Sequence, residues 1–219
     1  MQLPQRFAAF SGTWIRARPM SGDSTGLMTD SVTEISDAER LLAEIGRLRA
    51  QIAELENRVE QLDLLAHQDA LVTLPNRRGF MRELERLVDR AKRYGESAAL
   101  LYVDLDGLKM INDTFGHKAG DEALRQVAQL LVGGTRRSDV VARIGGDEFG
   151  ILLGHAEETS AHETAGRLVD LIADCDFMHE GDALPLSVAI GVAMVGADDE
   201  PDAIMARADE EMYRRKAAA

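Results

Sequence analysis

Two pairs of acidic residues are spaced in a way that suits metal-assisted phosphoryl chemistry. Asp104 and Asp106 follow the apolar run Ala98–Val103, and Asp147 and Glu148 follow the glycine pair Gly145-Gly146. A continuous apolar run reads as a buried central strand, so its acidic end leaves the core at a sheet edge. Carboxylates at a hairpin tip can meet the first pair over that edge. Magnesium takes oxygen ligands, keeps several waters, and is usually held by one or two carboxylates together with substrate phosphates. Such an ion bridges phosphates and activates an attacking hydroxyl. Lys109 offers a cation that offsets polyphosphate charge. The missing side chains at Gly145 and Gly146 let a nucleotide approach the backbone. Taken singly, each piece has a plainer explanation, because most acidic strand ends are simply solvated and most Gly-Gly pairs are simply turns.

The surrounding pattern supplies elements to hold these groups. Leu74-Pro75-Asn76 punctuates the chain before a helix near Arg77–Arg93, whose apolar face includes Phe80, Leu84, Leu87 and Val88, with Gly95 as its C-terminal cap. A second helix is expected at about Asp121–Leu131. Val140–Ile144 and Phe149–Leu153 read as a hairpin, since paired glycines permit the positive φ angles of tight turns. A helix near Glu157–Ile172, a strand at Leu186–Val195 and a helix at Asp202–Lys216 complete the order. This order predicts an α/β domain, an α+β sandwich with a mainly antiparallel central sheet and helices packed on it.

Ahead of this domain the chain changes character. Residues 1–35 are polar, aperiodic and rich in Ser, Thr and Gly, which predicts disorder; an arm anchored by Phe7, Phe10 and Trp14 is the alternative. Ser36-Asp37-Ala38-Glu39 has the form of a capping box and predicts a helix start. Over 36–66, Ile45, Ile52 and Val59 fall at heptad a positions, and Leu41, Leu48, Leu55 and Leu62 at d. β-branched residues at a with leucine at d favour a parallel two-stranded coiled coil, hence a homodimer. In that register Glu44 meets Arg49, Gln51 meets Glu56, and Arg58 meets Asp63. The alternative is a helix packed on its own domain. The register blurs at Leu64–Asp69, where residues 67–219 take over.

The formal net charge of −13 disfavours binding to nucleic acid. No apolar run reaches the roughly 20 residues of a membrane span. Cys175 is the single cysteine, which fits a reducing cytoplasm, and five scattered histidines show no zinc spacing.

Several stretches together resemble one family. Asp69-Ala70-Leu71-Val72-Thr73-Leu74-Pro75-Asn76-Arg77-Arg78, then Asp104 through His117 with Gly120-Asp121, then Gly145-Gly146-Asp147-Glu148-Phe149, then Ala208-Asp209 through Tyr213 and Lys216, are similar to the motifs of GGDEF domains, the diguanylate cyclases. The resemblance runs from about Asp69 to Lys216. It implies an enzyme that condenses two GTP into cyclic di-GMP and two pyrophosphates, with magnesium, or manganese in its place. By the same resemblance Asp104, Asp147 and the Leu105 carbonyl hold the metal. Glu148 lies near the reacting hydroxyl, and Asp147 and Glu148 are both candidates for the proton acceptor. Lys109 and Lys216 contact phosphates with the Gly107 and Leu108 amides. Asn112 and Asp121 read guanine, and Gly145-Gly146 leave room for the nucleotide. Arg136 and Asp139 match the family's R-x-x-D inhibitory site for cyclic di-GMP, with Arg167 as a second arginine.

Two departures from the family pattern stand out. The chain ends at Ala219, without the family's arginine four residues after Lys216 and its final strand, so weaker phosphate contact, a weaker sheet edge or a truncated chain is expected. Gly107 replaces a bulkier residue, with greater local flexibility as the expectation. A domain that binds nucleotide or cyclic di-GMP without catalysis is the competing function, and the intact signature speaks against it. Regulation by a protein that binds the helix, or by the product alone, is the expectation.

Overall fold

The computed structural model describes residues 25–218. The chain divides into two compact units at Glu56/Asn57. Helix α1 spans Thr25–His67. It therefore begins ahead of Ser36, and the capping box lies inside the helix instead of starting it. No proline or other strong breaker stands between Thr25 and Pro75, so nothing forces a start at Ser36. Residues 25–35, expected to be disordered, are helical; the rest of that expectation, with Phe7, Phe10 and Trp14, lies outside the described residues. The a and d residues are open to solvent in the single chain, from 44% exposed at Ile45 to 65% at Val59. Glu44, assigned to Arg49 of a second chain, is engaged by Arg47 of its own helix at 2.6 Å, and Asp63 lies 3.1 Å from His67 and 3.7 Å from Arg82.

The second unit is built on a four-stranded antiparallel sheet of order β2-β3-β1-β6: β1 Ala98–Leu105, β2 Val140–Arg143, β3 Glu148–Gly154 and β6 Val188–Val195. Alternation along β1 divides the core. Ala99, Leu101, Val103 and Leu105 face a layer formed by α3 (Leu108–Phe115), α4 (His117–Gly133) and α5 (Glu158–Ala173). Ala98, Leu100 and Tyr102 face α2 (Arg77–Tyr94) and α6 (Pro201–Ala218). Asn76 caps α2 by accepting from the Arg78 and Gly79 amides, and Gly95 closes it in the left-handed region at φ 67°.

Two elements are additions to the sequence reading, and one expectation is corrected. The segment Leu108–Phe115 is a helix in its own right, and the next helix starts at His117. Gly116, at φ 83°, separates them. The short hairpin β4–β5 (Met178–His179 with Asp182–Ala183) was not anticipated, since two-residue strands carry no readable alternation. Gly145 and Gly146 do not use positive φ. Four residues separate β2 from β3, and loops of that length turn without mirror-image angles.

Candidate active site

The sheet register brings the two acidic pairs to one edge. Asp104 on β1 pairs directly with Glu148 on β3. The Leu105 amide donates to the Asp147 carbonyl at 3.0 Å, which ties the hairpin tip to the end of β1. The tip is closed by the Ile144 and Gly145 amides, both donating to the Glu148 carbonyl. Gly145 is needed for space: a Cβ there would sit 2.0 Å from Glu148 Oε2. The side chain of Glu148 thus folds back over the glycine. Gly146 has open space around it.

Lys216 of α6 reaches this edge. Its ammonium donates to Asp104 and lies 3.5 Å from Asp106. Asp104 first, then Asp106, hold its pKa above the ordinary lysine range. Asp106 is further fixed by the Ser187 hydroxyl at 2.9 Å, and its amide donates to the Ser187 carbonyl. A positive charge thus already rests where cation chemistry is expected. Among the described residues no group of three or more His, Cys, Asp or Glu side chains is gathered so as to hold a metal ion by itself. Two carboxylates and the Leu105 carbonyl at one edge, open to solvent on the other side, fit an ion that completes its shell with phosphate oxygens and water.

Gly107 turns the chain from β1 into α3 at φ 70°. This is a left-handed position that glycine takes without strain, so its role is conformational and the expectation of mere flexibility is replaced. No side chain caps α3, which leaves the amides from Leu108 onward directed outward, and Lys109 is exposed beside them. Asn112 of α3 lies across Gly120, where a Cβ would fall 2.0 Å from Asn112 Oδ1, and so packs against α4 one residue before Asp121.

A residue that sequence reading did not single out, Arg143, braces the turn. Arg143 donates to the Gly146 carbonyl at 2.7 Å and to the Asp69 carboxylate at 3.2 Å, and its amide donates to the Pro75 carbonyl. Asp69 also accepts from the Leu71 and Val72 amides, and Asn76 Nδ2 donates to the Ala66 and Gln68 carbonyls. Thr73, a β-branched residue at φ 56°, shows how firmly this loop is held. Tyr102 is the other unforeseen neighbour. Burial first, then the nearby Glu148 carboxylate, push its pKa well above the ordinary tyrosine range.

Away from the edge, Arg136, Asp139 and Arg167 line one cavity of about 290 Å³ with Thr135, Ser160 and Thr164. Asp139 accepts from the Arg136 amide at 2.8 Å and fixes the loop.

Residues 66–219 match the family described as "Diguanylate cyclase, GGDEF domain". The chain belongs to the GGDEF family. It is 37% identical over 157 residues to the probable diguanylate cyclase DgcE of Escherichia coli K12, covering 71% of this chain and 14% of that protein. It is 38% identical over 157 residues to the response regulator PleD of Caulobacter vibrioides, covering 70% of this chain and 35% of that one. The chain thus spans about a third or less of the length of these curated relatives. Among solved structures, the coiled coil and GGDEF domain of DgcB from Caulobacter crescentus, in complex with c-di-GMP, has a TM-score of 0.76 at 26% identity, covering 82% of this chain and 95% of that one. Diguanylate cyclase SiaD of Pseudomonas aeruginosa, in complex with its activator SiaC, has a TM-score of 0.68 at 28% identity, covering 90% and 78%.

Proposed function

We propose that this GGDEF protein is a diguanylate cyclase that acts as a homodimer and is inhibited by its product. The observation that carries the reading is the meeting of Asp104, the Leu105 backbone and Asp147 at one sheet edge, with Asn112 and Asp121 on the helices that follow the same strand end. Asn112 and Asp121 select guanine, because a carboxylate accepts from N1 and N2, a donor pair that adenine lacks. The α3 amides at Leu108, with Lys109 and Lys216, hold the phosphates. Lys216 moves from the carboxylates to the polyphosphate when nucleotide arrives. Asp104, Asp147 and the Leu105 carbonyl would hold magnesium, which would supply charge stabilisation at the phosphates and lower the pKa of the attacking hydroxyl. Glu148 and Asp147 face that hydroxyl and are the groups available to take its proton. Each GTP attacks the other's α-phosphate, and two pyrophosphates leave. Catalysis is then mainly positioning and charge stabilisation.

One domain holds one GTP, so two must face each other. The exposed a and d stripe of α1 supplies the second domain by pairing with a second copy, at high effective concentration. The Arg136–Asp139–Arg167 cavity holds cyclic di-GMP as a brake. A regulatory protein that binds α1 is a second means of control. No described helix is long and apolar enough to cross a membrane, and we place the activity in the cytoplasm, where GTP is.

Incubation with GTP and magnesium is expected to yield cyclic di-GMP and pyrophosphate, read by chromatography. A folded dimer that makes no product overturns the reading. In the same assay Arg136→Ala retains synthesis and loses product inhibition; a variant as sensitive as the parent removes the brake.

A further inference from the structure

We infer that Glu211 and Arg215 are positioning residues for Lys216, holding the last turns of α6 so that its ammonium reaches the sheet edge. The inference rests on the cyclase reading above, in which Lys216 contacts substrate phosphate. Two adjacent rows of side chains run along α6. Ala208, Met212 and Lys216 are four residues apart and share one face. The first two are buried on Gly191 of β6, where a Cβ would lie 2.0 Å from the Ala208 carbonyl and 2.3 Å from the Met212 amide nitrogen. Lys216 prolongs this row past β6 and donates to Asp104 on β1. Arg207, Glu211 and Arg215 form the neighbouring row. β6 is an outer strand of the described sheet, so its outward amides and carbonyls need partners other than a strand. This row supplies two of them. Arg207 donates to the Met194 carbonyl at 2.7 Å, and the Val192 amide donates to Glu211 Oε2 at 2.7 Å.

Among the described residues of α6 no buried side chain follows Met212, so packing does not hold the last turn. Glu211 does so with both oxygens. One is taken by the strand. The other accepts from Arg215 at 2.7 Å, and Arg215 reaches past the sheet edge to His162 Nδ1 on α5 at 3.1 Å. Helix α5 belongs to the layer on the opposite face of the sheet from α6. The contacts thus tie the turn to β6 and to a helix across the sheet. An ion pair between exposed residues one turn apart adds little stability by itself. Here its carboxylate also binds a backbone amide of another element, which fixes the rotation of the helix about its axis. Lys216 is the next residue after Arg215, so that rotation decides where the ammonium points.

In assays of cyclic di-GMP synthesis, Lys216→Met is expected to raise the KM for GTP about tenfold, the scale of one hydrogen bond to a charged group. Glu211→Ala, which releases both contacts, raises it about fivefold and keeps kcat within about twofold of the parent. Arg215→Ala leaves the Val192 contact, keeps the parent's melting temperature and raises the KM about threefold. Combining Glu211→Ala with Lys216→Met gives the KM of Lys216→Met alone, because Glu211 acts through the lysine. The parent's KM in either single variant, Lys216→Met or Glu211→Ala, overturns the inference. So does a double variant whose KM rises by the product of the two single effects, the mark of a merely structural role. If Glu211→Ala does not fold, Arg215→Ala and its combination with Lys216→Met decide by the same two criteria. A parent that makes no cyclic di-GMP fails at the cyclase reading and takes the inference with it; an active parent with unaffected variants removes the inference alone.

Discussion

His179 is 5% exposed, and its Nδ1 meets Glu122 Oε2 at 2.7 Å. The contact ties the β4–β5 hairpin to α4 one residue beyond Asp121, the proposed guanine reader. His179 is the main cause holding the Glu122 carboxyl below the ordinary glutamate range. A carboxyl whose folded pKa is depressed contributes stability above its unfolded value and loses it as pH falls through the folded one. Glu122→Gln keeps the shape and removes the charge. The parent is expected to melt higher than this variant near pH 5.5, and the gap to close as pH falls below about 4. A gap of constant size over that range, followed by circular dichroism, would refute the pairing as a source of stability.

At the scale of elements, the sheet and its helices touch through glycine. Gly191 on β6 lies under α6, with the Met212 amide 2.3 Å from where its Cβ would be. Backbone cannot yield as a side-chain tip can, so Gly191→Ala should push α6 outward and cost about 1–3 kcal/mol, the usual scale of overpacking. Denaturant unfolding checks this, and a midpoint equal to the parent's would refute it. Helix α6 also carries Lys216, so the same change should weaken GTP binding. Much of this architecture was legible beforehand. Phe80, Leu84 and Leu87 mark one face of α2 by their helical spacing, and Ala98–Val103 marks a strand buried on both faces. The eight residues of α3 escaped notice because two turns between glycines give too short a period to read. The bracing of the site was hidden for a different reason. Arg143 and Asp69 are 74 residues apart, and Asp104 meets Glu148 through a register that exists only after two distant strands pair. Motif spacing finds groups carried by one element, while contacts between elements come from the fold.

For the whole molecule, the unpartnered surface of α1 is the main feature. Seven apolar a and d residues from Leu41 to Leu62 are exposed in one chain, and the proposed pairing with a second chain would bury them. A Leu48→Glu and Ile52→Glu double variant should run as a monomer in light scattering. Its activity per chain should fall more than tenfold at micromolar protein and climb as protein is concentrated. Full activity in a monomer at any concentration would exclude the paired arrangement. The sheet order has a further consequence, for synthesis of the chain. Strand β1 is flanked by β3 and β6, and both are translated after it. Pairing across such separations is slow and late. A nascent chain on the ribosome therefore displays the complete signature turn well before β6 has emerged to lock β1 and its aspartates in place. Half-made copies carry the signature residues before the sheet edge that holds them is complete.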